Sequence, residues 1–365
     1  MASDRAIFVA AGGTGGHLFP AEALSAELAA RGYPVELVTD TRALKFGANF
    51  PARAIHGVRA ATPTGGSIVS KALAAVQLGL GVIEARSLIG KAKPLCVVGF
   101  GGYPTVPPVL AASMLGVPTI LHEQNAVMGR ANRFMAKRVT RIATGFQALG
   151  GVAPALLAKT VHTGNPVRPA VIAAAQIPFP AADGSLRLLI TGGSQGARVM
   201  SDVVPAAIAL LSDEQRSRLA VTQQARGEDE GRVRDAYGQL HFAAEVAPFF
   251  KDLPERMARS HIIIGRSGAS TVSELAVIGR PSILVPFPFA LDQDQAANAE
   301  HLRATGAAQV VPQPQFTPEW LADALKSALA DPQGLTRRAQ EAKSAGIPDA
   351  AARLADLVLA TVRAG

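Results

Sequence analysis

Gly12-Gly13-Thr14-Gly15-Gly16-His17 follows the apolar run 6–11 and precedes a stretch that reads as a helix over 20–31. Glycines at such a junction let the backbone approach a ligand closely and take positive φ. The free N–H groups of a helix start, with the helix dipole, favour an anion. A tight turn with no ligand is the plain alternative. A dinucleotide fold is the sharper rival, since Asp40 ends the next apolar run where an acidic residue would grip a ribose. The spacing departs from the G-x-G-x-x-G fingerprint, because Leu18 stands where the third glycine belongs. The phosphate loop G-x-x-x-x-G-K-[ST] is absent.

Thr191-Gly192-Gly193-Ser194-Gln195-Gly196-Ala197-Arg198 repeats the strand–glycine–helix device in the second half. Two such loops suit two phosphorylated substrates. Arg266-Ser267-Gly268-Ala269-Ser270-Thr271-Val272-Ser273-Glu274 follows the apolar run 261–265. A carboxylate there can accept two hydrogen bonds from a ribose diol; a capping or solvated Glu is the alternative. Asp292-Gln293-Asp294-Gln295-Ala296-Ala297-Asn298 follows Val285-Pro286-Phe287-Pro288. Short carboxylate and amide side chains at a helix start can read sugar hydroxyls. The Asp-x-Asp string could instead hold a divalent metal. Sugar recognition is the reading adopted, because the two loop–helix junctions can already neutralise a diphosphate, so no metal and no cofactor are assigned.

These clusters need strands and helices to carry them. Apolar runs at 6–11, 35–39, 95–99, 119–122 and 139–144 read as buried strands, and the pattern restarts at 186–190, 218–223, 261–265 and 282–285. Buried runs separated by helices imply an α/β chain with parallel sheets covered on both faces. The expected architecture is two doubly wound Rossmann-like domains facing across a cleft. Ligands in such sheets bind beyond the carboxyl ends of the strands, where every cluster above stands.

Composition sets the outer limits. At 365 residues two domains are the natural expectation. The chain is 48% hydrophobic and 18% charged, so it can bury sizeable cores and is not disordered. Its one cysteine, Cys96, sits in an apolar run, which excludes a disulfide framework and suits a small core residue. The net charge of +8 calls for an anionic partner. Residues 1–5 are too short and polar for a leader, and no uninterrupted run of 18 apolar residues predicts a membrane span. Residues 68–89 nonetheless mix Val76, Leu78, Leu80, Val82, Ile83, Leu88 and Ile89 with Lys71 and Arg86, beside Lys91 and Lys93. Arg130, Arg133, Lys137, Arg138 and Arg141 form a second basic set. Apolar residues beside cations suit an anionic bilayer surface; an ordinary buried helix with solvated lysines is the alternative.

Taken in order, Gly12 to Pro20, Gly99-Phe100-Gly101-Gly102-Tyr103, His122-Glu123-Gln124-Asn125, Gly164-Asn165-Pro166-Val167-Arg168, Gly192 to Ala197, Arg266 to Glu274, Asp294-Gln295 to Asn298 and Ile347-Pro348-Asp349-Ala350 resemble the MurG family of bacterial glycosyltransferases. The resemblance runs through nearly the whole chain. It implies a GT-B fold and inverting transfer of N-acetylglucosamine (GlcNAc) from UDP-GlcNAc to undecaprenyl-pyrophosphoryl-MurNAc-pentapeptide, giving a β(1→4) product. It implies an acceptor-binding domain over 1–166, with a last helix at about 349–365 packing back on it, and a UDP-GlcNAc domain over 167–348. It also implies attachment to the cytoplasmic face of the bacterial inner membrane, with no nucleic acid as partner.

The resemblance further assigns residues. Gly193, Ser194 and Gln195 would contact the diphosphate. Arg168 and the segment Ala269, Ser270, Thr271, Val272, Ser273 and Glu274 would bind the uridine portion, with Glu274 on the ribose. Phe249 and Phe250 match the segment that packs on uracil. Asn125, Asp294 and Gln295 would read GlcNAc hydroxyls. Thr14, Gly15 and Gly16 would line the sugar and acceptor pyrophosphate, with Tyr103 near the acceptor. Thr222-Gln223-Gln224-Ala225 departs from the family's His-Gln-Ser/Thr-Gly, Asp294-Gln295 from its Gln-Gln or His-Gln, and Phe250 from an aliphatic residue.

Inversion needs a base for the acceptor hydroxyl and a stabiliser for departing UDP. Helix N-termini and backbone N–H groups supply the second. His17 is the expected base, because the positive end of a helix dipole disfavours imidazolium. The alternative for His17 is a hydrogen bond to the pyrophosphate; His122 and Glu123 are rival bases. Two other function classes are an NAD-dependent oxidoreductase, from the first loop and Asp40, and a nucleic-acid binder, from charge. The second has little support, with one Trp and three Tyr as stacking platforms apart from Phe.

Overall fold

The computed structural model describes residues 4–12, 15–40, 50–62, 67–181, 183–193, 196–290 and 293–364. The chain divides into two compact units, residues 1–168 with 348–365 and residues 169–347.

Among the described residues of the first unit seven strands form one sheet: β1 (Ile7–Ala10), β2 (Val35–Asp40), β3 (Ala54–Val58), β4 (Cys96–Gly99), β5 (Thr119–Glu123), β6 (Arg141–Thr144) and β7 (Thr160–His162). Their order is β3-β2-β1-β4-β5-β6-β7. Every pairing is parallel, as in Ile7 against Val35 on one side and Cys96 on the other. Strands buried on both faces explain the unbroken apolar runs. One face packs Phe8, Val97 and Leu121 with Val109 and Ile89; the other packs Ile7, Val9 and Val98 with Leu24 and Leu28. The C-terminal helix Ala350–Ala364 joins the second cluster through Leu354, Ala355, Val358 and Leu359. Cys96 is buried there, and burial pushes its thiol up to about 12, which fits a core residue.

The second unit holds β8 (Leu186–Thr191), β9 (Leu219–Gln224), β10 (Ala244–Ala247), β11 (Ile262–Gly265), β12 (Ser282–Leu284) and β13 (Ala308–Val310). Their order is β10-β9-β8-β11-β12-β13, again all parallel. In both sheets the winding reverses beside the first strand, between β1 and β4 and between β8 and β11. Loops diverge above such a point and leave a crevice for ligand.

One expectation is corrected, and one helix is more apolar than the uninterrupted-run criterion registered. The first helix begins at Gly15, not at residue 20, and runs to Ala30 with Pro20 inside it. Proline removes one N–H and crowds the residue four before it; here that residue is Gly16, which has no side chain to clash. The Ile68–Ala92 helix is long and apolar enough by composition to cross a membrane. Scattered polar residues hid this from a search for an uninterrupted apolar run. The helix buries Ala74, Gly81, Ala85 and Ile89, while Ile68, Val69, Leu73, Val76, Leu80 and Ile83 face outward. Ile89, with Leu78, Val82 and Leu88 partly buried, packs on the core, and the outward face still carries six large apolar side chains, unlike the polar outer face of an ordinary surface helix.

Candidate active site

The β1–β4 switch point brings together two motifs that lie far apart in sequence. His17, in the first turn of the Gly15–Ala30 helix, sits against the Phe100–Gly102 segment that follows β4. Gly101 and Gly102 both have positive φ, at 82° and 72°. A Cβ on Gly102 would stand 3.4 Å from His17 Nε2, in a backbone conformation that L side chains rarely adopt. His17 Nδ1 lies 3.2 Å from Gln124 Oε1, and Gln124 Nε2 donates to the Phe100 carbonyl at 2.7 Å. Desolvation holds the His17 pKa below its ordinary value, against hydrogen bonds to Gln124 and the Phe100 carbonyl, which raise it.

The two rival bases are differently placed. His122 is fully buried, with Nε2 3.1 Å from the Gly164 carbonyl. That acceptor requires Nε2 to carry the proton. Burial drives the pKa of His122 down to about 4. Glu123 is also buried, and its carboxylate accepts from Asn125 N at 3.0 Å, Gly129 N at 2.9 Å and Asn132 Nδ2 at 2.8 Å. Burial raises its pKa, and those donors pull it back. Glu123 thus pins the 125–132 loop, including Asn125, whose side-chain amide reaches Glu123 Oε1 at 3.4 Å. Arg168 lies over the Phe19 ring, 4.1 Å from its centroid, and its charge acts on Glu22, whose pKa burial raises. Tyr103 is partly buried against the core. Asp40, the ribose ligand of the dinucleotide reading, is buried at the end of β2.

In the second unit, the glycine loop leaves β8 at Thr191. A Cβ on Gly192 would fall 2.1 Å from the Ala197 backbone nitrogen, so only glycine closes this turn onto the Arg198–Ala209 helix. Gln224, at the end of β9, braces it. Its amide joins Thr191 Oγ1 at 2.8 Å, the Gly193 carbonyl at 3.4 Å and the Pro248 carbonyl at 3.2 Å. The departure Thr222 to Ala225 therefore carries a structural device that sequence reasoning missed. After Pro248, Phe249 is 68% exposed, whereas Phe250 is buried with the Arg256 guanidinium over its ring.

The Ala269–Ile278 helix follows β11. Along it Ser270, Thr271 and Ser273 are partly exposed, while Ala269, Val272 and Glu274 are buried. The two last motifs interlock. Ser267 Oγ donates to the Gln295 carbonyl at 2.8 Å, Asn298 Nδ2 to the Ser267 carbonyl at 3.2 Å, and Phe287 N to Gln295 Oε1 at 3.0 Å. Asp294 Oδ1 accepts from Gln295 N at 3.0 Å, at the start of the Asp294–Arg303 helix. Arg266 is spent on the Val285 and Pro286 carbonyls and Gln313, which fixes the loop carrying Phe287. Thr14, Ser194, Gln195 and Asp292 lie outside the described residues.

Comparison with known proteins places this geometry. Residues 7–144 match the model of the glycosyltransferase family 28 N-terminal domain, and residues 187–354 that of the family's C-terminal domain. A Methylobacterium nodulans protein is 58% identical over 97% of this chain and 96% of its own length. A Brucella suis biovar 1 protein is 54% identical over 99% and 96%. Both carry the name UDP-N-acetylglucosamine–N-acetylmuramyl-(pentapeptide) pyrophosphoryl-undecaprenol N-acetylglucosamine transferase. Among solved structures, Acinetobacter baumannii MurG superimposes with a TM-score of 0.79 at 27% identity, covering 98% of this chain and 99% of that one. The calicheamicin glycosyltransferase CalG4 shares the fold, with a TM-score of 0.68 at 18% identity over 99% of each chain.

Proposed function

The chain belongs to glycosyltransferase family 28, and from that membership we infer that it transfers GlcNAc from UDP-GlcNAc to the 4-hydroxyl of undecaprenyl-pyrophosphoryl-MurNAc-pentapeptide. This is the step from lipid I to lipid II in peptidoglycan synthesis. The observation that carries the reading is identity of 54% and 58%, over nearly the whole chain, to relatives named for that transfer.

The first unit takes the acceptor and the second the sugar nucleotide. The acceptor oxygen attacks the anomeric carbon in line, the bond to the UDP β-phosphate oxygen breaks, and the electron pair leaves with UDP. His17 takes the hydroxyl proton; its lowered pKa keeps the ring neutral and able to accept. His122 and Glu123 brace the site, since Nε2 of the one and both oxygens of the other already hold structural partners. The N-terminus of the Arg198–Ala209 helix, with Gly193, Ser194 and Gln195 before it, stabilises the departing diphosphate. Glu274 and the Ala269 to Ser273 segment take the uridine, with Phe249 against the base and Arg168 beside it. Asn125, Asp294 and Gln295 read the GlcNAc hydroxyls. Thr14, Gly15, Gly16 and Tyr103 face the acceptor.

The protein attaches peripherally to the cytoplasmic face of the inner membrane through the exposed face of the Ile68–Ala92 helix. Lys71, Arg86, Lys91 and Lys93 are exposed beside its apolar residues, and Arg130, Arg133, Lys137, Arg138 and Arg141 form a second exposed basic set. That pairing suits an anionic bilayer.

The test is incubation with radiolabelled UDP-GlcNAc and a lipid-linked MurNAc-pentapeptide, with and without EDTA. Labelled disaccharide-lipid in both samples is the expected result. Loss with EDTA would restore a metal role at Asp292 and Asp294. No transfer in either, beside an active control transferase, would overturn the substrate assignment.

A further inference from the structure

Gln124 stands immediately after β5 and is 3% exposed. Its amide spans two groups, the Phe100 carbonyl at 2.7 Å and His17 Nδ1 at 3.2 Å. A carbonyl oxygen only accepts, so the amide NH2 of Gln124 must face Phe100. The reversed amide would set two acceptor oxygens 2.7 Å apart. Phe100 is itself held in place, its N–H donating to the Ala10 carbonyl at 2.9 Å and so tying the end of β4 to the end of β1. The Gln124 oxygen therefore faces His17, and an oxygen acceptor there requires a proton on Nδ1. A neutral imidazole carries one ring proton. Nε2 is left with its lone pair, on the edge of the ring beside Gly102, where a Cβ would stand 3.4 Å from it.

We propose that Gln124 is a positioning residue that fixes His17 as the Nδ1-protonated tautomer, leaving Nε2 as the atom that accepts the acceptor's hydroxyl proton. The proposal rests on the reading of His17 as the base. In the transfer the O–H bond of the acceptor breaks, its proton joins Nε2, the new glycosidic bond forms and the electron pair departs with UDP. Nδ1 remains hydrogen-bonded to Gln124 throughout. In the Ser-His-Asp triad a carboxylate sets the tautomer and stabilises imidazolium. An uncharged amide sets the tautomer without adding a negative charge, so the ring stays unprotonated at neutral pH.

The experiment is ¹⁵N NMR of the full chain with labelled histidine, the His17 signals being identified by their loss in His17→Ala. The expected result at neutral pH is a protonated Nδ1 and an unprotonated Nε2. Gln124→Met, checked for folding by thermal denaturation, is expected to lose that signature and to lower kcat by at least about tenfold at unchanged KM; a fully wrong tautomer in a triad costs about 10⁴-fold. A wild-type signature with the proton on Nε2 would overturn the proposal without any variant. So would a folded Gln124→Met with wild-type signature and kcat. A normal kcat in His17→Ala, beside an intact Nδ1–H signal in the wild type, would overturn the base role alone and leave the tautomer assignment standing.

Discussion

His122 Nε2 lies 3.1 Å from the carbonyl oxygen of Gly164, 42 residues further along the chain. The bond fastens the end of β5 to the segment that leaves the first unit, and it does so with a ring wholly removed from water.

Acid should therefore loosen this unit through His122. Its folded pKa, about 4, lies below the ordinary 6.5, so between those values the unfolded chain binds the extra proton. Stability is present in full above about pH 6.5 and falls as pH drops towards 4, by roughly 3 kcal/mol from this group. Urea unfolding at pH 7 and pH 5 should show the decline. His122→Gln should flatten it, and an equal decline in the variant would assign the effect to other groups.

His17→Ala is expected to lower kcat by at least about 10²-fold, the ordinary contribution of a placed base. In the wild type the acid limb of kcat should fall below pH 6.5, because desolvation lowers the His17 pKa and activity is lost only as the ring is protonated. Near-normal kcat with raised KM in the variant would make His17 a pyrophosphate ligand instead.

Glu123→Gln replaces an oxygen that accepts from backbone N–H groups with an NH2 that cannot. Leaving such a buried donor unmatched costs about 1–3 kcal/mol, and Asn125 should lose its fixed position. Calorimetry should report the stability loss. A wild-type KM for UDP-GlcNAc in the folded variant would remove Asn125 from sugar binding.

Gln224→Leu cuts the ties from β9 to Thr191, Gly193 and Pro248. The expected outcome is a raised KM for UDP-GlcNAc with kcat little changed, since nucleotide binding weakens equally in the ground and transition states. A drop in kcat at constant KM would mean that the loop acts on the departing diphosphate alone.

Leu73→Glu with Ile83→Glu puts two charges on the exposed face of the Ile68–Ala92 helix. Surface changes of this kind move stability by about 0.5 kcal/mol or less. Flotation with anionic liposomes should fail, while transfer to a short-chain, water-soluble acceptor should persist. Undiminished flotation would move the membrane contact elsewhere on the protein.

By itself the sequence determined the parallel α/β class, the restart that makes two sheets, and the four clusters at strand ends. Apolar runs buried on both faces leave an unmistakable pattern, and glycine records where backbones must touch. It did not disclose β3, β7, β10 or β13. All four are the edge strands of the two sheets, where partial exposure blurs the apolar pattern. Nor did it disclose the work of Gln124, Asn132 or Gln224, because an amide's role depends on which groups meet it and those groups are distant in the chain. The sequence favoured His17 as the base, from its place at a helix start, and left His122 and Glu123 as rivals for the same reason. Only the tertiary structure separates them physically: His122 and Glu123 hold buried structural partners, whereas His17 has an amide oxygen on one nitrogen and Gly102 beside the other, and the proposed assignment of the base rests on that difference.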